Sequence, residues 1–157
     1  MHRARRIDLP MHEAFFPELT LRLQKIATTV SEHRKRVILS SATVILCIDD
    51  EPTILAVRKL MLSAAGYDVL TASDGESALQ TFIQEHVDLV ITDQFLPDNT
   101  GGQLAAEMKR LKPKVPVILY TGMMDAPPDA GNFDLILPKG MAPPEFLAAI
   151  GKVVAKS

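Results

Sequence analysis

VILCIDDEP, residues 44–52, sets the problem. A run of apolar residues leads straight into Asp49, Asp50 and Glu51, and then into Pro52. The run reads as a buried strand, yet it ends in three adjacent carboxylates. Like charges crowded at one strand end repel. Something must compensate, and a bound cation is the obvious candidate.

Downstream of this stretch, short apolar runs alternate with amphipathic ones. TVILCI (43–48), YDVLTA (67–72), VDLVIT (87–92), VPVILYT (115–121) and FDLIL (133–137) read as strands. Between and after them, PTILAVRKLMLSAAG (52–66), DGESALQTFIQEH (74–86), QLAAEMKRLK (103–112) and PPEFLAAIGKVVAK (143–156) read as helices. Pro52 suits a first helical turn, Gly66 a helix end and Asp74 an N-cap. Strands alternating with helices predict an α/β fold with a parallel sheet, because parallel neighbours need crossover connections. Continuous Val/Ile/Leu runs fit a sheet covered on both faces. Ligands of such sheets sit beyond the carboxyl ends of the strands. Those ends carry Asp49, Asp50 and Glu51, then Asp93, Thr121 and Lys139. Carboxylates, a hydroxyl and an ammonium therefore converge on one edge.

Composition sets the outer bounds. The chain has 157 residues, 47% hydrophobic and 23% charged, which suits one domain with a short appendage and excludes wholesale disorder. Cys47 is the only cysteine, so an intrachain disulfide is excluded, and its place inside an apolar run predicts a buried, inert thiol. Neither a transmembrane run nor a secretory signal is evident, and the expectation is a cytoplasmic protein with no membrane association. Residues 1–42 carry eight Lys/Arg against four Asp/Glu, and the remainder nine against fifteen. That asymmetry puts a boundary near Ser40 and Ser41, between an extension over 1–42 and a domain over 43–157.

The chemistry of the edge is that of phosphoryl transfer. Asp50 and Asp93, with a backbone carbonyl and waters, would suit Mg²⁺. A carboxylate can accept a phosphoryl group as an aspartyl phosphate. Thr121 could hydrogen-bond a phosphate oxygen, and Lys139 could pair with another. Glu51 reads as a charge at a helix N-terminus, and His86 as a solvated cap.

DDE (49–51), TDQFLPDNTGG (92–102), YTG (120–122) and PKG (138–140), in this order and at strand ends, resemble the response-regulator receiver domain of two-component signalling. The resemblance implies a flavodoxin-like, doubly wound five-stranded parallel sheet of order 2-1-3-4-5, here with an N-terminal helical extension. It implies that Asp93 is the phosphoacceptor, that Asp50 and the carbonyl of Phe95 bind Mg²⁺, and that Asp49 supports the site through water. Thr121 would be the switch hydroxyl and Lys139 the phosphate partner. Pro97 and Gly101 match the family's loop pattern, Gly101 supplying a backbone conformation that other residues resist. Phosphoryl groups would come from a sensor histidine kinase or a phosphotransfer protein, and output would pass to a downstream protein target. The expectation is a stand-alone receiver that catalyses its own aspartyl phosphorylation and is no metabolic enzyme.

Three departures from the family pattern stand out. GMMDAPPDAGNFDLIL (122–137) is short, and Pro127-Pro128 disfavours the helix that the family places between its fourth and fifth strands. Ile136 stands where an aromatic is usual, and Gly140 follows Lys139 where proline is usual, implying a shifted loop. Phe95 and Met123, two residues beyond Asp93 and Thr121, are bulky and apolar and are expected to hinder a hydrolytic water.

In the extension, Phe16, Leu19, Leu23, Ile26, Val30, His33 and Val37 form an a/d-like seam over 15–37. It predicts a helix packed on the domain, a disordered arm preceding a start at Met11, or a homodimer through 15–37. EHRKR (32–36) is basic but lacks aromatic interleaving, so nucleic-acid binding is not expected from it. Two other function classes remain open: a docking module that works without phosphorylation, and a DNA-associated regulator acting through the basic N-terminal helix.

Overall fold

The computed structural model describes residues 42–157. The expected extension up to Ser41, its helix over 15–37 and the basic run 32–36 lie outside the described residues. Five parallel strands form one sheet in the order β2-β1-β3-β4-β5. They are β1 (Val44–Ile48), β2 (Asp68–Ala72), β3 (Leu89–Thr92), β4 (Val117–Thr121) and β5 (Leu135–Pro138). The helices are α1 (Pro52–Ala64), α2 (Gly75–Gln84), α3 (Gly101–Leu111) and α4 (Pro143–Val154). Among the described residues no helix is long and apolar enough to cross a membrane.

Alternation along β1 divides the core. Leu46 and Ile48 face one way, into a cluster with Ala78 and Phe82 of α2 and Leu104, Ala105 and Met108 of α3. Ile45 and Cys47 face the other way, among Leu55 and Leu62 of α1 and Phe146 and Ile150 of α4. With both faces covered, every residue from Ile45 to Ile48 is fully buried, which is why β1 reads as a continuous apolar run. Desolvation by burial pushes the Cys47 thiol up to about 12, the positive charge of Arg58 opposing and the negative charge of Asp49 adding to the rise.

Local signals place the helices. Pro52 occupies the first turn of α1, and Gly66, at φ +94°, follows its end. Asp74 caps α2, accepting the Ser77 N–H at 2.7 Å. α3 begins two residues earlier than the sequence suggests, at Gly101, because Thr100 and Gln103 form a capping box that outweighs the poor helix propensity of Gly101 and Gly102. Between β4 and β5 the expected break is present: among the described residues the connection contains a single 3₁₀ turn, Ala130–Asn132. Asn132 Nδ2 donates to the Gly102 carbonyl at 3.1 Å, and Phe133 packs on the α2–α3 core, so the connection is tied down on α3.

The loop after β3 is tied to α2 as well. Asp98 accepts the N–H groups of Gly75 at 2.8 Å and Glu76 at 2.9 Å, two donors that no helical carbonyl can reach. Asp98→Ala should cost about 1 kcal/mol of unfolding free energy in urea titration, the usual worth of a helix cap. A loss below a few tenths would mean that water replaces the carboxylate.

Candidate functional site

The site is assembled by the ends of four strands, β1, β3, β4 and β5. Backbone pairing of β1 with β2 and β3 sets the first carboxylates: the Asp49 N–H donates to the Ala72 carbonyl at 3.2 Å, and the Asp93 N–H to the Ile48 carbonyl at 3.0 Å. Asp49 and Asp93 are thereby buried, whereas Asp50 is exposed. Carboxylate oxygens of Asp49, Asp50 and Asp93 all lie within 4.8 Å of one another.

Lys139 reaches this cluster from the far side. Its backbone N–H donates to the Thr121 carbonyl at 2.7 Å, continuing the pairing of β4 with β5. Its Nζ donates to Asp93 Oδ2 at 2.8 Å and to Asp49 Oδ2 at 3.2 Å. Partial burial alone would lower the ammonium's pKa, but hydrogen bonds and charge from Asp93 and then Asp49 outweigh it, and the pKa is raised. The group is therefore a fixed cation at neutral pH. Gly140, at φ +100°, turns the chain immediately afterwards, a backbone conformation that few other residues take readily.

Asp93 has its second oxygen engaged too, since Oδ1 accepts the Gln94 N–H at 2.7 Å. Gln94 itself is buried and donates through Nε2 to Asp129 Oδ1 at 3.3 Å, linking the loop after β3 to the β4–β5 connection. Thr121 is buried at the end of β4, where its Oγ1 accepts the Met123 N–H at 3.2 Å and has no hydrogen bond to the carboxylates. The Phe95 side chain is exposed and its backbone bridges to Thr100, while Met123 is partly exposed. Glu51 is exposed at the N-cap of α1 and its side chain makes no capping bond. His86 is solvent-exposed and pairs with Asp88 at 2.8 Å.

One residue escaped the sequence reading. Arg58, 3% exposed, lies on the core side of α1 between Leu55 and Leu62, and its Nη2 donates to Asp49 Oδ2 at 3.2 Å. The signal was present in the spacing, because Leu55, Arg58 and Leu62 fall on one helical stripe. A charge at that register is not placed by periodicity alone.

The expectation for Gly101 needs correction. Positive φ occurs at Gly66 and Gly140, not at Gly101. Gly101 is required for space: a Cβ there would lie 2.2 Å from the Asp93 carbonyl oxygen. The helix starts hard against the backbone of Asp93.

Comparison with known proteins now decides the family. The family model of the response regulator receiver domain matches residues 45–150. This chain belongs to the response regulator receiver family. The receiver is similar to the probable transcriptional regulator ycf27 of Porphyridium aerugineum, with 36% identity over 71% of this chain and 48% of the relative. It is also similar to KdpE of Mycobacterium tuberculosis, with 36% identity over 73% of this chain and 52% of that protein. The chain spans about half, or less, of the length of the curated relatives it matches first. Among solved structures, the response regulator TrrA from Thermotoga maritima, in complex with Mg(2+)-BeF, superposes with a TM-score of 0.68 at 31% identity, covering 71% of this chain and 98% of that one. A receiver domain from Methanospirillum hungatei gives 0.70 at 26% identity, covering 74% and 96%.

The donor set of the receiver fits a small hard cation. It is all oxygen, its members are close enough to share one ion, and Asp50 opens it to solvent. Asp49, Asp50 and Asp93 would hold that cation. Gly101→Ala should lower thermal stability by roughly 2 kcal/mol, as overpacking against rigid backbone does. Gly131→Ala, where a Cβ meets nothing within 4 Å, is the control and should melt like the parent. Equal melting of the two variants would show that the start of α3 yields without strain.

Proposed function

We propose that this receiver is a phosphorylation switch in which Asp93 takes a phosphoryl group from the phosphohistidine of a sensor histidine kinase or a phosphotransfer protein and passes the signal on by protein contact. The observation that carries the reading is the Lys139 ammonium, 2.8 Å from Asp93 and 3.2 Å from Asp49, facing an acidic cluster that Asp50 opens to solvent. The likeness to TrrA, solved with Mg(2+)-BeF, supports it further.

In the transfer, an Asp93 carboxylate oxygen attacks phosphorus as the P–N bond of the phosphohistidine breaks. The imidazole nitrogen leaves with the bond's electron pair and picks up a proton. Asp49, Asp50, Asp93 and the Phe95 carbonyl would hold Mg²⁺, which would supply neutralisation of the charge that builds on the phosphoryl oxygens. Asp93 loses its own charge on phosphorylation, and the negative charge moves outward onto phosphate. The Lys139 ammonium, already between Asp93 and Asp49, follows that charge and pairs with a phosphate oxygen. Thr121, whose hydroxyl is engaged by the Met123 N–H rather than by a carboxylate, turns to accept a place beside the phosphoryl group. Its movement pulls on the connection after β4, which replaces the family's helix at the output surface.

A second reading, a docking module that works without phosphorylation, draws on that same replaced connection. Intact-mass measurement after incubation with acetyl phosphate and Mg²⁺ separates the two. A single phosphate adduct, absent from Asp93→Asn and absent without metal, supports the switch. Folded protein with no adduct under these conditions favours the docking module. Once formed, the adduct should be long-lived because Phe95 and Met123 offer a hydrolytic water neither a base nor a hydrogen-bond partner from their side chains. Phe95→Asn should shorten its half-life by about ten-fold, the rate equivalent of one hydrogen bond to the water worth roughly 1.4 kcal/mol. An adduct that decays equally fast in both proteins would remove Phe95 from the account.

A further inference from the structure

α1 presents Leu55, Arg58 and Leu62 to the sheet, so a guanidinium occupies the middle of an aliphatic stripe. Burying such a group is costly unless it is well paired. Arg58 is paired sparsely. Nη2 makes its hydrogen bond to Asp49, the guanidinium carbon lies 5.0 Å from the centre of the Tyr120 ring, and Nη1 is buried with no partner. An aliphatic side chain would fill this position without stranding a donor. What Arg58 adds is a fixed positive charge against the acidic cluster.

The commitments of the carboxylates show where that charge acts. Asp49 Oδ1 accepts the Glu51 N–H at 3.1 Å, and Oδ2 is shared by Arg58 and Lys139, both at 3.2 Å. Lys139 is a quarter exposed and can swing outward when a cation arrives. Arg58 is held under α1 at 3% exposure and cannot. We infer that Arg58 is a built-in counter-cation of Asp49 that competes with the divalent metal and sets a weak Mg²⁺ affinity at this site. It acts through Asp49, as a positioning and tuning residue, and touches neither phosphate nor metal. In the absence of metal it holds the buried Asp49 carboxylate in place of the missing ion. With metal bound it repels the ion across that same carboxylate, at a depth where salt screens little. The inference rests on the reading of Asp49, Asp50 and Asp93 as a Mg²⁺ site.

The test is a Mg²⁺ titration of the full chain by calorimetry, for the parent, Arg58→Gln, Arg58→Met and Arg58→Lys. Loss of one nearby charge should tighten binding on the order of ten-fold in both neutral variants, with Arg58→Lys near the parent. Thermal melting supplies a second readout. Without metal the neutral variants should melt below the parent, and saturating Mg²⁺ should close most of that gap; a merely structural Arg58 gives the same deficit with and without metal. If the neutral variants unfold without metal, the melt in Mg²⁺ still reads the recovery. Equal or weaker Mg²⁺ binding in the neutral variants overturns the inference while leaving the metal site standing. No Mg²⁺ binding in any of the four proteins overturns both.

Discussion

The arrangement turns on one carboxylate. Asp49 is completely buried at the end of β1, beside two other acids, and it is stable there because two cations share one of its oxygens and a backbone N–H takes the other. Each partner comes from a different part of the chain: Glu51 from the turn into α1, Arg58 from its second turn, and Lys139 from the end of β5. The acidic edge is therefore a joint between elements as well as a cluster of ligands. Repulsion between neighbouring carboxylates, which made the DDE stretch look unstable by itself, is what recruits α1 and β5 to the same point.

The two faces of the sheet contribute differently. On the side of α2 and α3 the loop after β3 is pinned by Asp98, the capping box of Thr100 and Gln103 and the close approach of Gly101 to the Asp93 carbonyl. A cap loses its partner if the loop shifts, so Asp93 sits on backbone that has little freedom. On the other face, Arg58 contacts Tyr120, and Tyr120 packs on Phe146 of α4 with ring centres 4.9 Å apart. An aromatic pair thus lies beside the buried charge even though Ile136 occupies the position where the family usually has a ring. The β4–β5 connection, with a 3₁₀ turn and no α-helix, is joined to the loop after β3 through Gln94 and Asp129.

Strand identity and the acidic edge were legible in the sequence because each rests on a local pattern: apolar runs, turn residues and the chemistry of strand ends; strand order came from the resemblance to the receiver family. Pro127-Pro128 likewise announced the missing helix. What could not be read had tertiary causes. The start of α3 was hidden by Gly101 and Gly102, which look like loop until Thr100 and Gln103 are seen to close on each other. Gly101 was assigned to backbone conformation when its reason is the carbonyl of Asp93, a neighbour that only the folded chain supplies. Arg58 was passed over because periodicity tells which face of α1 is inside, while its partner Asp49 lies on a different element.

Cys47 carries a consequence of a different kind. Its sulfur lies within β1, flanked in the sheet by Thr71 and Ile91, with no solvent exposure, and burial keeps it in the unreactive thiol form. Thiol reagents need the thiolate and a path to it. Both appear only when β1 parts from its neighbours, so the rate at which this lone thiol is modified is a clock for opening of β1, built into the chain without any added label.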